Sequence, residues 1–100
     1  IKFERFIFDL LPAARNGIVV EADASQAFAP LKNAPGSERD SPESVHCQMV
    51  ALHRSWLKAA GVSVADRIDV EISPLFALDA EELAQKQERS RTIEKPTYLT

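Results

Sequence analysis

Ser41 to Gly61 is the stretch that most restricts how this chain can fold. Ser41 is a strong helix N-cap, Pro42 suits the first helical position, and Glu43 complements the positive end of a helix dipole. Val45, Met49, Leu52 and Trp56 then recur at +4, +7 and +11, with Val50 and Leu57 broadening the face. Lys58 falls in the last turn, and Gly61 is placed for a left-handed cap. The spacing predicts a helix over 42–60 with one apolar side. A chain of 100 residues buries roughly two thirds of its surface, enough for one core. That core must form on this helix. With 45% hydrophobic and 27% charged residues, the composition is that of a globular protein rather than a disordered one.

The flanking segments predict an alternation of helices and strands. Phe3, Phe6, Ile7, Leu10 and Leu11 form one helical stripe, so residues 3–15 read as a helix that kinks or ends near Leu11, where Pro12 intrudes. Phe8 lies about 140° from Phe3 at helical spacing, off that stripe. It is either buried on a second face or lines a pocket. Ile18-Val19-Val20-Glu21-Ala22 reads as a short strand covered on both faces, as in a parallel sheet. Residues 23–40 are mostly loop, with one possible helical turn at Ser25–Phe28 and turn residues at Pro30, Asn33, Pro35 and Gly36. Lys32 stands there between Leu31 and Asn33, with Arg39 the other positive charge of the stretch. Ile68, Val70 and Ile72 alternate inward with Asp69 and Glu71 outward, which predicts a second strand. Asp79 can cap a short helix over 80–87. Residues 88–100 are expected as a loop, an edge strand or a frayed tail.

Several function classes find no support in the residues. Net charge is −3, which offers no invitation to nucleic acid, and no apolar run approaches the ~20 residues of a bilayer span. The single cysteine, Cys47, cannot form an internal disulfide. His46, Cys47 and His53 invite a metal reading, but His46 and His53 are two helical turns apart and His46 and Cys47 diverge by about 100°. The same divergence argues against a Cys–His nucleophile pair. There is no GxGxxG and no GxxxxGK[ST] to cradle a phosphate. The carboxylates form no recognisable acid–base pair by spacing.

Four strings, taken together, carry a resemblance. Lys2-Phe3-Glu4-Arg5-Phe6-Ile7-Phe8-Asp9 is followed by Val19-Val20-Glu21, then by Phe28-Ala29-Pro30-Leu31-Lys32-Asn33, and later by Glu71-Ile72-Ser73-Pro74-Leu75. Between them lies Ala51-Leu52-His53-Arg54-Ser55-Trp56-Leu57. In order and spacing, over about residues 2–78, this is similar to the C-terminal part of the eukaryotic-type UDP-N-acetylhexosamine pyrophosphorylases, within the broader UTP–sugar-1-phosphate uridylyltransferases. The resemblance implies that UTP and an N-acetylhexosamine 1-phosphate give the UDP-sugar and pyrophosphate with Mg²⁺, in the cytoplasm. It also implies that Phe6 and Phe8 stand beside the sugar, with Phe8 bordering the N-acetyl pocket. Lys32 is implied to reach the phosphates as a catalytic and substrate-binding cation. The family's glycine-rich nucleotide loop, its uracil-recognising segment and its metal-binding aspartate belong to an upstream part that this sequence does not contain. After Leu75 the sequence departs from the family pattern, so no residue beyond Pro74 inherits a role.

The expected fold is α/β. Residues 1–34 are expected to be the end of a Rossmann-like nucleotidyltransferase catalytic domain, and residues 35–100 a small C-terminal α+β portion. Because the chain begins at Ile1 and runs straight into Lys2-Phe3-Glu4, we expect it to be a piece of a longer polypeptide and inactive alone. Its partners would be UTP, the sugar 1-phosphate and the remainder of the catalytic domain, with a homo-oligomer possible and neither nucleic acid nor membrane. The rival readings are a non-catalytic docking or dimerisation module, a uridylyltransferase for glucose or galactose 1-phosphate, and a thiol enzyme centred on Cys47.

Overall fold

The computed structural model describes residues 6–87 and 90–100. Its longest element, α2 (Pro42–Ala59), follows a single-turn helix α1 (Ala24–Ala27). At the start of α2 the Ser41 hydroxyl accepts the Ser44 amide at 3.3 Å while the Ser44 hydroxyl accepts the Ser41 amide at 2.9 Å, a reciprocal capping box. At its end Gly61 turns left-handed at φ +80°. The Val62 amide then reaches the Leu57 carbonyl at 2.9 Å and the Gly61 amide reaches that of Lys58 at 3.1 Å. This Schellman arrangement satisfies carbonyls that a helix end would otherwise leave open, and φ > 0 is why glycine stands there.

Beyond α2 come β1 (Ser63–Val64), β2 (Val70–Ile72), α3 (Ala80–Lys86), β3 (Thr92–Ile93) and β4 (Thr97–Leu99). β1 pairs with β3 and β2 with β4, both in parallel; Val70, Glu71 and Ile72 lie opposite Thr97, Tyr98 and Leu99. Parallel partners need a long crossover, and α3 lies within it. The C-terminal portion expected as α+β is therefore built of parallel strand pairs connected through a helix. Asp79 caps α3 by accepting the Glu82 amide at 2.8 Å, as expected of an Asp just before a short helix. Leu57, Val62, Val70, Ile72, Ala77, Leu83, Ile93 and Leu99 make one core, with Trp56, Val64, Ile68 and Phe76 packed around it.

Two polar side chains fasten α2 to this core. Arg54 donates to the carbonyls of Ala65 at 3.1 Å and Ile68 at 2.8 Å, holding the β1–β2 connection against the helix. His53 is 8% exposed, and its Nδ1 accepts the Ile72 amide at 3.2 Å, tilted against the Trp56 ring. Nδ1 is therefore the unprotonated nitrogen in the fold. Burial pushes the His53 pKa down, against the opposing pull of the Glu71 charge and of a hydrogen bond to the Val70 backbone.

The N-terminal third departs from expectation twice. Residues 7–13 form a 3-10 helix, Ile7–Ala13, rather than an α-helix over 3–15, whose first residues lie outside the described ones. Pro12 is the reason: in an α-helix its ring would meet the Phe8 carbonyl four residues back. None of the seven residues is buried, so no packing compensates. Residues 18–22 are not a strand. They pair with no other segment among the described residues, and Val19 is fully exposed. A strand needs a ladder partner, and β-branched composition does not supply one. The radius of gyration, 17.7 Å, exceeds the roughly 13 Å of a compact chain this long.

Two outcomes follow for stability. Leu57 is completely buried, so Leu57→Ala should lower the urea-unfolding free energy by about 2–5 kcal/mol. Leu75→Ala, at a residue 95% exposed, should stay within about 0.5 kcal/mol. The depressed His53 pKa means that the fold holds neutral imidazole, whereas the unfolded chain takes up a proton near its ordinary value of 6.5. The stability from neutral His53 is thus fully present above that value and is lost as pH falls toward the lower folded pKa. Urea midpoints measured between pH 8 and 5.5 should drop toward acid, and His53→Gln should flatten the slope.

Candidate functional site

The residues singled out by the family resemblance lie before α2, on the exposed side of the molecule. Phe6 leads into the 3-10 helix and Phe8 lies within it, 58% and 67% exposed. A shallow cavity of about 430 Å³ beside them is lined by Phe6, Ile7, Asp9 and Leu10. Neither Phe8 nor Lys32 contributes to that lining. The chain thus presents the two aromatics without enclosing a pocket around both, and it does not bring them together with Lys32 at this cavity.

The approach to Lys32 is more ordered than its exposure suggests. Asp23 caps α1, its carboxylate accepting the Ser25 amide at 2.8 Å and the Ser25 hydroxyl at 2.7 Å. Those two bonds, the hydroxyl foremost, hold its pKa below the usual carboxylate range. Phe28, just after α1, turns toward α2. With Ala24, Ser25, Gln48, Leu52 and Ser55 it borders an open groove of about 650 Å³. Four residues further on is Lys32. Its side chain is exposed and forms no ion pair or hydrogen bond among the described residues.

The backbone around Lys32 is fastened. The Asp40 carbonyl accepts both the Lys32 and the Asn33 amides at 2.9 Å, and the Asn33 side-chain amide donates to the Arg39 carbonyl at 2.9 Å. Between these points Ala34-Pro35-Gly36-Ser37 makes a tight turn closed by the Ser37 amide on the Ala34 carbonyl at 3.2 Å. Gly36 takes φ +83° there, which suits glycine after proline in a type II turn. The Gly36 amide also donates to the Glu43 carboxylate at 3.3 Å. That carboxylate is held below its usual pKa by its own amide, the Ser41 hydroxyl and the Gly36 amide, in that order. Asp40 itself is left-handed at φ +53°, a conformation that Asp tolerates better than most residues. The fixed points of this loop, Asp40 and Glu43, flank the buried cap Ser41 of α2.

The histidines and cysteine weighed for metal or thiol chemistry are separated by their partners. His46 Nε2 meets the Glu71 carboxylate at 3.3 Å on the surface, His53 is committed to the Ile72 amide, and Cys47 is exposed on α2. Among the described residues no group of three or more His, Cys, Asp or Glu side chains is placed to hold a metal ion. The sequence reads Asn33 only as a turn residue and gives Asp40 no role. The signal was present in the preference of Asn and Asp for loop hydrogen bonding and for left-handed backbone, but nothing in a linear pattern says which carbonyl they meet.

No protein-family model matches the chain. Individual relatives do. It is 41% identical over 88 residues to the UDP-N-acetylglucosamine pyrophosphorylase of Saccharomyces cerevisiae, a match covering 85% of this chain and 18% of that protein. It is 38% identical over 105 aligned positions to UDP-N-acetylglucosamine diphosphorylase 2 of Arabidopsis thaliana, covering all of this chain and 21% of the relative. The UDP-N-acetylhexosamine pyrophosphorylase-like protein 1 of Homo sapiens is 36% identical over 66% of this chain and 13% of its own length. The chain thus spans roughly a fifth or less of these proteins. With similarity of this degree along most or all of its length, the chain is a homologue of a segment of the UDP-N-acetylglucosamine and UDP-N-acetylhexosamine pyrophosphorylases.

Proposed function

We propose that this chain works as part of a UTP–sugar-1-phosphate uridylyltransferase that forms UDP-N-acetylglucosamine and pyrophosphate from UTP and N-acetylglucosamine 1-phosphate. The observation that carries the reading is the similarity to pyrophosphorylases and diphosphorylases over 85–100% of the chain. The exposed sites agree with it. Phe6, Ile7, Phe8, Leu10, Leu11, Ile18, Val19 and Val20 are all left open to solvent. So many large apolar side chains left open along two short segments suit a surface that another part of the protein covers. Residues 1–34 then belong to the catalytic domain, covered by its remaining part. Residues 35–100, with their own core, form the C-terminal portion. No helix among the described residues is long and apolar enough to cross a membrane, and we place the enzyme in the cytoplasm.

In this reading a phosphate oxygen of the sugar 1-phosphate attacks the α-phosphorus of UTP, and pyrophosphate leaves as the bond to the β-phosphate breaks. Such transfer depends mainly on holding the two phosphates in line and neutralising their charge. Lys32 supplies a compact ammonium to the phosphates, a role suited to a cation on a flexible stem without carboxylate partners among the described residues. Phe6 and Phe8 stand at the sugar. An aromatic wall at Phe8 matches the acetyl methyl and limits the size of the acyl group. Magnesium would lower the charge of the triphosphate, but the described residues do not form a site for it, and no step here runs through it.

In the complete polypeptide, Lys32→Ala should lower kcat/KM for UDP-sugar formation by about 10²-fold or more, the scale of losing one preorganised charge-stabilising donor. Phe8→Ala should leave glucose 1-phosphate turnover nearly unchanged. It should weaken the preference for the N-acetylated substrate by about tenfold, the scale of a lost methyl contact in an apolar pocket. Unchanged turnover in the first variant and unchanged acyl selectivity in the second would remove both assignments.

A further inference from the structure

Lys32 reaches into solvent from a loop, yet a point charge helps phosphoryl transfer only where its backbone is held in place. Three hydrogen bonds fix that backbone. Two run from the successive amides of Lys32 and Asn33 to the single Asp40 carbonyl, and the third from the Asn33 side-chain nitrogen to the carbonyl of Arg39, one residue earlier. Asn33 therefore grips two successive carbonyls with its backbone and its side chain. The gripped strand leads through left-handed Asp40 into Ser41, the buried N-cap of α2. From there the 18 residues of α2 run to the core at Leu57. The Glu43 carboxylate on the Gly36 amide braces the far side of the same loop.

We propose that Asn33 is a positioning residue for Lys32, clasping the Lys32 loop to the start of α2 through its side-chain amide. The inference rests on the reading of Lys32 as the phosphate-binding cation. Its residue requirement is specific. Position 33 needs a short side chain that donates toward a carbonyl, which asparagine provides and alanine or leucine does not. Removing the donor leaves both backbone bonds but frees the loop to swing the ammonium away from the phosphates.

A double-mutant cycle in the complete polypeptide separates positioning from plain stability. Expected is a fall in kcat of about tenfold for Asn33→Ala with KM for UTP changed less than about threefold, against about 10²-fold or more for Lys32→Ala. In the Lys32→Ala background, Asn33→Ala should cost less than about twofold more, because the group it positions is gone. Asn33→Leu, which keeps the branched shape of asparagine but has no donor, should behave as Asn33→Ala does. Three results overturn the proposal: a tenfold loss that persists in both backgrounds, wild-type kcat in Asn33→Ala, or the failure of both Asn33 variants to fold. A Lys32→Ala enzyme with wild-type turnover would instead remove the Lys32 assignment, and the clasp's catalytic purpose with it.

Discussion

The structure depends on the packing of α2. α1, α3, β1 and β2 all lie against it, and its side chains supply both the apolar and the polar fastenings. Leu57 is fully buried at the centre of the core, worth about 1.5–3 kcal/mol in apolar transfer. Around it Arg54 satisfies carbonyls of the β1–β2 connection and His53 satisfies the amide of Ile72. Those backbone groups would otherwise be costly to bury. A helix anchored in this way at its C-terminal half gives its N-terminal end a fixed position. The Lys32 loop is tied to that end.

The chain divides between a part that satisfies itself and a part that does not. From Ser41 onward, caps, parallel strand pairs and one core account for much of the backbone and for most of the large apolar residues, with Leu75, Leu78 and Tyr98 left exposed. Before it, a 3-10 helix with no buried residue and an extended apolar run with no ladder partner among the described residues present their side chains outward. This contrast fits a segment whose first third completes its burial against another part of a larger enzyme. In the function proposed above, the exposed Phe6, Phe8 and Lys32 would face a substrate site completed by surfaces from elsewhere.

What the sequence made legible follows the same division. Ser41, Pro42, Lys58 and Gly61 marked both ends of α2, because capping is local chemistry read within a few residues. The alternation of Ile68, Val70 and Ile72 showed the inward face of the second strand, and Asp79 marked the start of α3. Ile18 to Val20 misled, since β-branched residues signal a strand only if a partner exists. Pro12 was seen as a break, but the tighter 3-10 form it imposes was not. β1 escaped notice because two residues carry no period. The candidate site was legible only through family resemblance. Lys32 and the two phenylalanines are ordinary exposed side chains by spacing alone, and the Asp40 clasp joins residues seven and eight positions apart across a turn, beyond any local pattern.

The central claim is that the Lys32 loop is held in place by α2 despite lying at the surface. Amide hydrogen exchange at Lys32 and Asn33 tests it most directly, since both amides are bound to one carbonyl while exposed to water. Both amides should be protected at least about tenfold over the intrinsic rate, with the protection lost together when the α2 cap is removed by Ser41→Ala. Exchange at the intrinsic rate while the amides of α2 stay protected would contradict it.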